Sequence, residues 1–122
     1  MLECCVDTVE SAVAAKEGGA DRLELCANLI IGGTTPDINL YHRIREKCDI
    51  LINPIIRPRF GDFCYSDEEF EIIRRDVKMF REAGADGVVI GISTRWNPQS
   101  GANGNPDGRS RRHEGHHASC IR

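Results

Sequence analysis

Between residues 2 and 93 four short apolar runs alternate with three stretches of helical periodicity, and brief turns separate them. That order restricts the chain more than any other property it has. A strand, a helix and a second strand joined by short links form a β-α-β unit, and repeated units build a parallel sheet covered by helices. Residues 50–56 are almost wholly apolar, as a strand covered on both faces requires. The other runs, at 2–6, 22–26 and 88–92, are shorter.

The helices between them carry their own start and stop signals. The first is expected to open at a capping box of Asp7 and Glu10, to bury Val9, Ala12 and Val13, and to close at Gly18-Gly19. The second follows the loop Gly32-Gly33-Thr34-Thr35-Pro36, with Thr35 as N-cap and Pro36 in the first helical position. Tyr41, Ile44 and Cys48 form its apolar face. Ser66 and Glu69 are the capping box of the third, whose stripe is Phe70, Ile73, Val77 and Phe80 and whose stop is Gly84. Glu17-Gly18-Gly19-Ala20-Asp21 and Glu82-Ala83-Gly84-Ala85-Asp86 nearly repeat one another, each between a helix end and a strand start. Repeated barrel units and a shared turn chemistry explain this equally well.

After Ser93 the pattern stops. Residues 94–122 are rich in glycine, asparagine, arginine and histidine, and show no strand or helical period, so a disordered or aberrant tail is expected. His113, His116, His117 and Cys120 have metal-binding chemistry, but in such a segment the grouping reads as incidental.

Residues 1–93 thus form the single folded unit expected of a 122-residue chain. A net charge of −3, with basic residues spread among acidic ones, leaves no electrostatic footprint for nucleic acid. The N-terminus has no basic stretch followed by a long apolar one, and no apolar run is long enough for a bilayer, so no membrane association and a cytoplasmic location are expected. The six cysteines contain no C-x-x-C pair and are expected as thiols.

Side chains alternate along a strand, which sorts the polar residues. Glu3, Cys5 and Asp7 share one face, as do Glu24 and Cys26, Asn53 and Arg57, and Gly91 and Ser93. The opposite faces carry Val6, Leu23, Leu25, Ile52, Ile56, Val88 and Ile90 for the helices. In a barrel the polar face points inward, and strand C-termini form the functional rim, here Cys5, Asp7, Cys26, Arg57, Arg59 and Ser93. Glu3 and Glu24 lie one layer deeper and need cationic partners, with Arg57 the expected one. A purely structural Glu–Arg network is the competing reading. The Gly32 to Thr35 loop fits backbone N–H capture of an anion as well as it fits a tight turn, and His42 is expected in solvent.

Glu3-Cys4-Cys5-Val6-Asp7, Val9-Glu10-Ser11-Ala12, Gly18 through Cys26, Gly32 through Pro36, Ile56-Arg57-Pro58-Arg59 and Gly61-Asp62-Phe63-Cys64-Tyr65-Ser66-Asp67 together resemble the CutC copper homeostasis family over residues 2–93. The resemblance implies a parallel β/α (TIM-like) barrel, of which the chain holds the N-terminal half only, followed by a low-order tail that does not match. It also implies copper homeostasis, with Cu(I) on the thiolates of Cys5 and Cys26, in a truncated isoform or fragment. Soft thiolates suit Cu(I), and both cysteines fall on one face. The alternative is an enzyme-type site for a small anionic ligand, built from Glu3, Glu24, Arg57 and Asp62 beneath the Gly32 to Thr35 loop. No reaction is legible. A third alternative is an inactive fragment, whose open strand edges would favour pairing with another chain, a homo-oligomer included.

Overall fold

Leu23 and Leu25 are closed to solvent while Arg22 and Glu24 beside them are only half-buried, so a sequence that alternates in polarity becomes a strand with one greasy face. The same logic recurs along the chain. The computed structural model describes residues 1–93 and 117–121. Strands β1 (Glu3–Val6), β2 (Arg22–Leu25), β3 (Leu51–Ile56) and β4 (Val88–Ile92) alternate with helices α1 (Val9–Glu17), α2 (Ile38–Lys47) and α3 (Asp67–Glu82).

The strands lie in chain order, β1-β2-β3-β4, each parallel to the next. This is the alternating parallel β/α arrangement expected from the sequence. The sheet is open, with β1 at one edge. At the other edge β5 (His117–Ile121) runs antiparallel to β4, in the segment for which the sequence suggests no regular structure. The exposed N–H and C=O groups of an edge strand are a template for such an addition, whatever the side chains. The remainder of the tail, with His113 and His116, lies outside the described residues.

Val6, Leu23, Leu25, Ile52, Ile56, Val88 and Ile90 from the strands meet Ala12, Tyr41, Ile44, Ile73 and Phe80 from the helices in one core. Tyr41 packs edge-on to Phe80 at 5.8 Å between ring centroids, tying α2 to α3. Val77 packs against this core, whereas Phe70 is partly exposed beside Tyr65. His42 is exposed, as expected.

Two helix starts differ from the sequence reading. α1 is capped by Thr8 and Ser11, whose hydroxyls satisfy each other's backbone N–H groups, one residue later than the Asp7–Glu10 pair. α2 is capped by Asp37, which accepts from the Asn39 N–H at 2.7 Å, in place of Thr35. Thr35 is held elsewhere by β3, as described below. The third box, Ser66 with Glu69, forms as expected.

Both copies of the near repeat form the same turn. The Asp21 N–H donates to the Leu2 carbonyl at 2.9 Å, and the Leu2 N–H returns to the Asp21 carboxylate at 2.7 Å. Asp86 makes the same exchange with Ile52, at 3.3 and 2.9 Å. Gly19 and Gly84, at φ +95° and +86°, supply the left-handed residue that turns each helix end toward its Asp. One device thus joins each incoming strand to the start of an earlier one.

Candidate functional site

The polar side of the sheet brings Cys5, Glu24 and Asn53 into one row, since Cys5 is in register with Glu24 and Glu24 with Asn53. Glu3 pairs with Arg22, its own register partner on β2. The expected partnership of Glu3 and Glu24 with Arg57 is therefore corrected: Arg57 forms no ion pair among the described residues. Geometry explains the difference. Arg57 lies beyond the end of β3, where its side chain reaches the loops above the strands and not the carboxylates one layer down.

Arg57 is 8% exposed and donates to three backbone carbonyls, at 3.0 Å to Gly33, 2.9 Å to Gly61 and 3.5 Å to Ile31. Its guanidinium also lies 4.9 Å from the centre of the Phe63 ring. The Nε–H is buried without a partner among the described residues. A guanidinium has five N–H bonds, so these three contacts leave Nε–H and one Nη–H unengaged.

The backbone of Arg57 is fixed as firmly as its side chain. Its N–H donates to the Thr35 hydroxyl at 2.9 Å, and its carbonyl accepts from the Thr35 N–H at 2.9 Å. The Thr35 hydroxyl donates in turn to Asp76 of α3; burial raises the Asp76 carboxyl pKa, and the Thr35 bond opposes the rise. This explains why Thr35 does not cap α2.

The Gly32 to Thr35 loop is a tight turn and not an anion nest. Its four N–H groups donate to the carbonyls of Leu29, Asn28, Ala27 and Arg57. Gly32 and Gly33 stand at φ +93° and +88°, which aims the Gly33 carbonyl at Arg57; a Cβ on Gly32 would come within 3.1 Å of Arg57 Nη1. Glycine is needed here for both reasons.

Asp62 joins a different cation. Arg59 binds its carboxylate at 3.1 Å, together with Glu69 and the carbonyls of Asp62 and Cys64, so Asp62 braces the loop after β3. It is not brought into the row of Cys5 and Glu24. Phe63, which sequence reasoning missed, fills the space over Gly91, where an added Cβ would lie 3.2 Å from the ring. A glycine inside an apolar strand was the available signal. The Tyr65 hydroxyl is also buried without a partner among the described residues, beside an open cleft of about 540 Å³ lined by Arg59, Glu69 and Ser93.

The thiols share a carboxylate. Burial raises the Cys5 pKa, with Glu24 and Glu3 adding to it, and Cys5 hydrogen-bonds to Glu24. Burial pushes the Cys26 thiol up to about 12, helped by Glu24, Cys5 and Asp7. Burial also raises the Glu24 pKa, with the Glu3 charge adding to it, while the Cys5 hydrogen bond and Arg22 pull the other way. Cys4 packs toward the core, away from both. Cu(I) binds thiolates, and this surrounding disfavours the thiolate form of both sulfurs. Among the described residues no three His, Cys, Asp or Glu side chains converge as a metal-holding group. Two thiols on one face suit the softness of Cu(I), which would displace a proton from each on binding.

Comparison with known proteins places these features in a family. The model of the CutC family matches residues 1–99. A human copper homeostasis protein cutC homolog is 48% identical over 94 residues, covering 77% of this chain and 34% of the human protein. The mouse protein of the same name is 47% identical and 35% covered. A crystal structure of a Streptococcus agalactiae protein given the name CutC superposes with a TM-score of 0.69 at 32% identity, over 77% of this chain and 47% of that one. The chain spans about a third of the length of the mammalian relatives it matches.

Proposed function

Because the chain belongs to the CutC family, we propose that it carries part of the rim of a β/α barrel, and that this rim binds a small anionic ligand through Arg57, with Glu24 as a nearby carboxyl that exchanges a proton. The observation behind this is a buried guanidinium that, among the described residues, has no carboxylate counter-ion and no partner for its Nε–H. A buried cation of this kind is costly unless something neutralises it. Backbone carbonyls from two loops supply part of that neutralisation and fix the group's orientation. The remaining Nε–H is a charged donor of the kind that binds carboxylate or phosphate. Titrating inorganic phosphate into the full chain, followed by Arg side-chain NMR, tests the proposal. The Arg57 Nε signal is expected to shift and saturate, and Arg57→Lys to weaken binding at least tenfold. A flat titration in the wild type sinks the reading.

Copper is a second reading, supported by the relatives' names and by the shared face of Cys5 and Cys26. It requires Cu(I) to displace protons from two thiols whose surroundings disfavour thiolate. Cu(I) titration of reduced protein decides it: an unchanged stoichiometry in Cys5→Ser with Cys26→Ser removes these residues as ligands. Among the described residues no helix is long and apolar enough to cross a membrane.

A further inference from the structure

Three large apolar side chains stand in solvent on the two loops whose carbonyls Arg57 holds. Ile30 is 97% exposed and Ile31 47% exposed, both in the 3-10 turn Leu29–Ile31 that follows β2. Phe60 is 68% exposed in the loop that follows β3. Single exposed apolar residues need no explanation. These three differ because one guanidinium ties their loops together: Arg57 donates to the carbonyl of Ile31 in the first loop and of Gly61, next to Phe60, in the second. The buried cation therefore ties together the two loops that carry the apolar side chains.

From this we infer that the ligand of the rim is amphiphilic: a carboxylate or phosphate monoester whose charged end meets Arg57 and whose apolar chain lies against Ile30, Ile31 and Phe60. The inference rests on the proposed anion site and adds the class of molecule it takes. Charge complementarity selects the head group, because Arg57 forms no ion pair among the described residues and keeps a buried, unpartnered Nε–H. The apolar surface beside it is what a wholly polar anion would leave in water, and what a short alkyl or aryl group would cover. The first loop keeps its own polar groups occupied. The N–H groups of Gly32, Gly33, Thr34 and Thr35 all donate within the protein, and Asp62 is engaged by Arg59.

Calorimetric titration of the full chain with inorganic phosphate, hexyl phosphate, hexanoate and hexanol separates the contributions. Hexyl phosphate is expected to bind about tenfold tighter than inorganic phosphate, the effect of burying about two methylenes. Hexanol, lacking the charge, is expected to bind more weakly than either hexyl anion. The ratio of hexanoate to hexyl phosphate affinity tells which head group Arg57 prefers. Phe60→Ser and Ile30→Ser are expected to bring the hexyl phosphate to phosphate ratio close to one while leaving inorganic phosphate unchanged; both sites are exposed, so the fold should tolerate them. Equal affinities in the wild type, or a ratio that survives both substitutions, overturn the inference and leave the anion site standing. If Phe60→Ser alters the oligomeric mass in light scattering but not the ratio, the patch is an interface between copies and the inference fails. Absence of binding by every anion overturns both readings.

Discussion

The two ends of the sheet solve the problem of buried charge in opposite ways. At the strand N-termini each aspartate has close partners: Asp21 exchanges hydrogen bonds with Leu2, and Asp86 does so with Ile52 while also pairing with Arg45. Arg45 in turn reaches the Ile50 carbonyl and the Tyr41 hydroxyl. At the strand C-termini, among the described residues, a buried guanidinium has carbonyls but no carboxylate and a tyrosine hydroxyl has no partner, while burial raises the pKa values of Glu24 and Cys26. An open cleft lies at each end, about 490 Å³ at the first and 540 Å³ at the second. Volume therefore does not distinguish them. The distribution of satisfied groups does, and it is the basis for proposing a ligand at the strand C-termini, the end that carries function in parallel β/α folds.

Substitutions that affect the two ends separately would sharpen this contrast. The largest effect is expected for Asp86→Ala, which removes a charged hydrogen bond to Ile52 and the Arg45 pair and should lower stability by about 2–3 kcal/mol. Urea denaturation measures this, and phosphate affinity should not change. Burial opposes ionisation of Asp86, but the Ile52 N–H and Arg45 outweigh it and hold its pKa below the usual carboxylate range. Its contribution is thus fully present above the unfolded pKa and is lost as pH falls through the folded one. In Asp86→Ala that acid-side loss should disappear from the stability profile.

Thr35→Val breaks the link between Asp76, Thr35 and the Arg57 backbone, with an expected loss of about 2 kcal/mol because the Asp76 carboxylate is left without its donor. Here phosphate affinity should fall as well, since Arg57 loses its backbone anchor. A Thr35→Val protein that binds phosphate normally would break the contrast. Gly33→Ala forces a side chain into φ +88° with its Cβ 3.4 Å from the Cys26 sulfur, at about 1.5 kcal/mol, and should weaken phosphate binding by displacing the carbonyl that orients Arg57. Thermal melts and calorimetry measure the two effects.

The smallest effect on stability, and opposite in sign, belongs to Glu24→Gln. Because burial raises the Glu24 pKa in the folded state, its charged form opposes folding at neutral pH, and the penalty fades as pH falls through the folded pKa. The variant is expected to be marginally more stable than wild type near pH 7 and equal to it in acid. Half-exposure keeps the gain within a few tenths of a kcal/mol.

What could be read from the sequence follows range. Apolar period and local turn chemistry placed all four parallel strands and three helices, because those signals come from residues within a few positions of one another. Residues 88–92 match β4, and Ser66 with Glu69 matches the third cap. The errors lie where two local signals compete. Thr8 displaced Asp7 as a cap, and Thr35 was a capable N-cap that β3 recruited instead. β5 was illegible because its pairing uses the backbone of a partner more than twenty residues away in sequence.

The candidate site divides along the same line. Strand parity placed Cys5, Glu24, Asn53 and Cys26 on one face, a consequence of the two-residue repeat of any strand. The sequence by itself also determined that Arg57 lies at a strand end, and its family motifs matched those of CutC proteins. Only the tertiary structure decided which groups Arg57 meets. Its partners are carbonyls of Gly33 and Gly61, atoms every residue possesses, brought to it by two loops. Residue types report a carboxylate partner; they cannot report a carbonyl one. For that reason the sequence suggested Arg57 as the partner of Glu3 and Glu24, where Glu3 pairs with Arg22 and Arg57 meets carbonyls among the described residues.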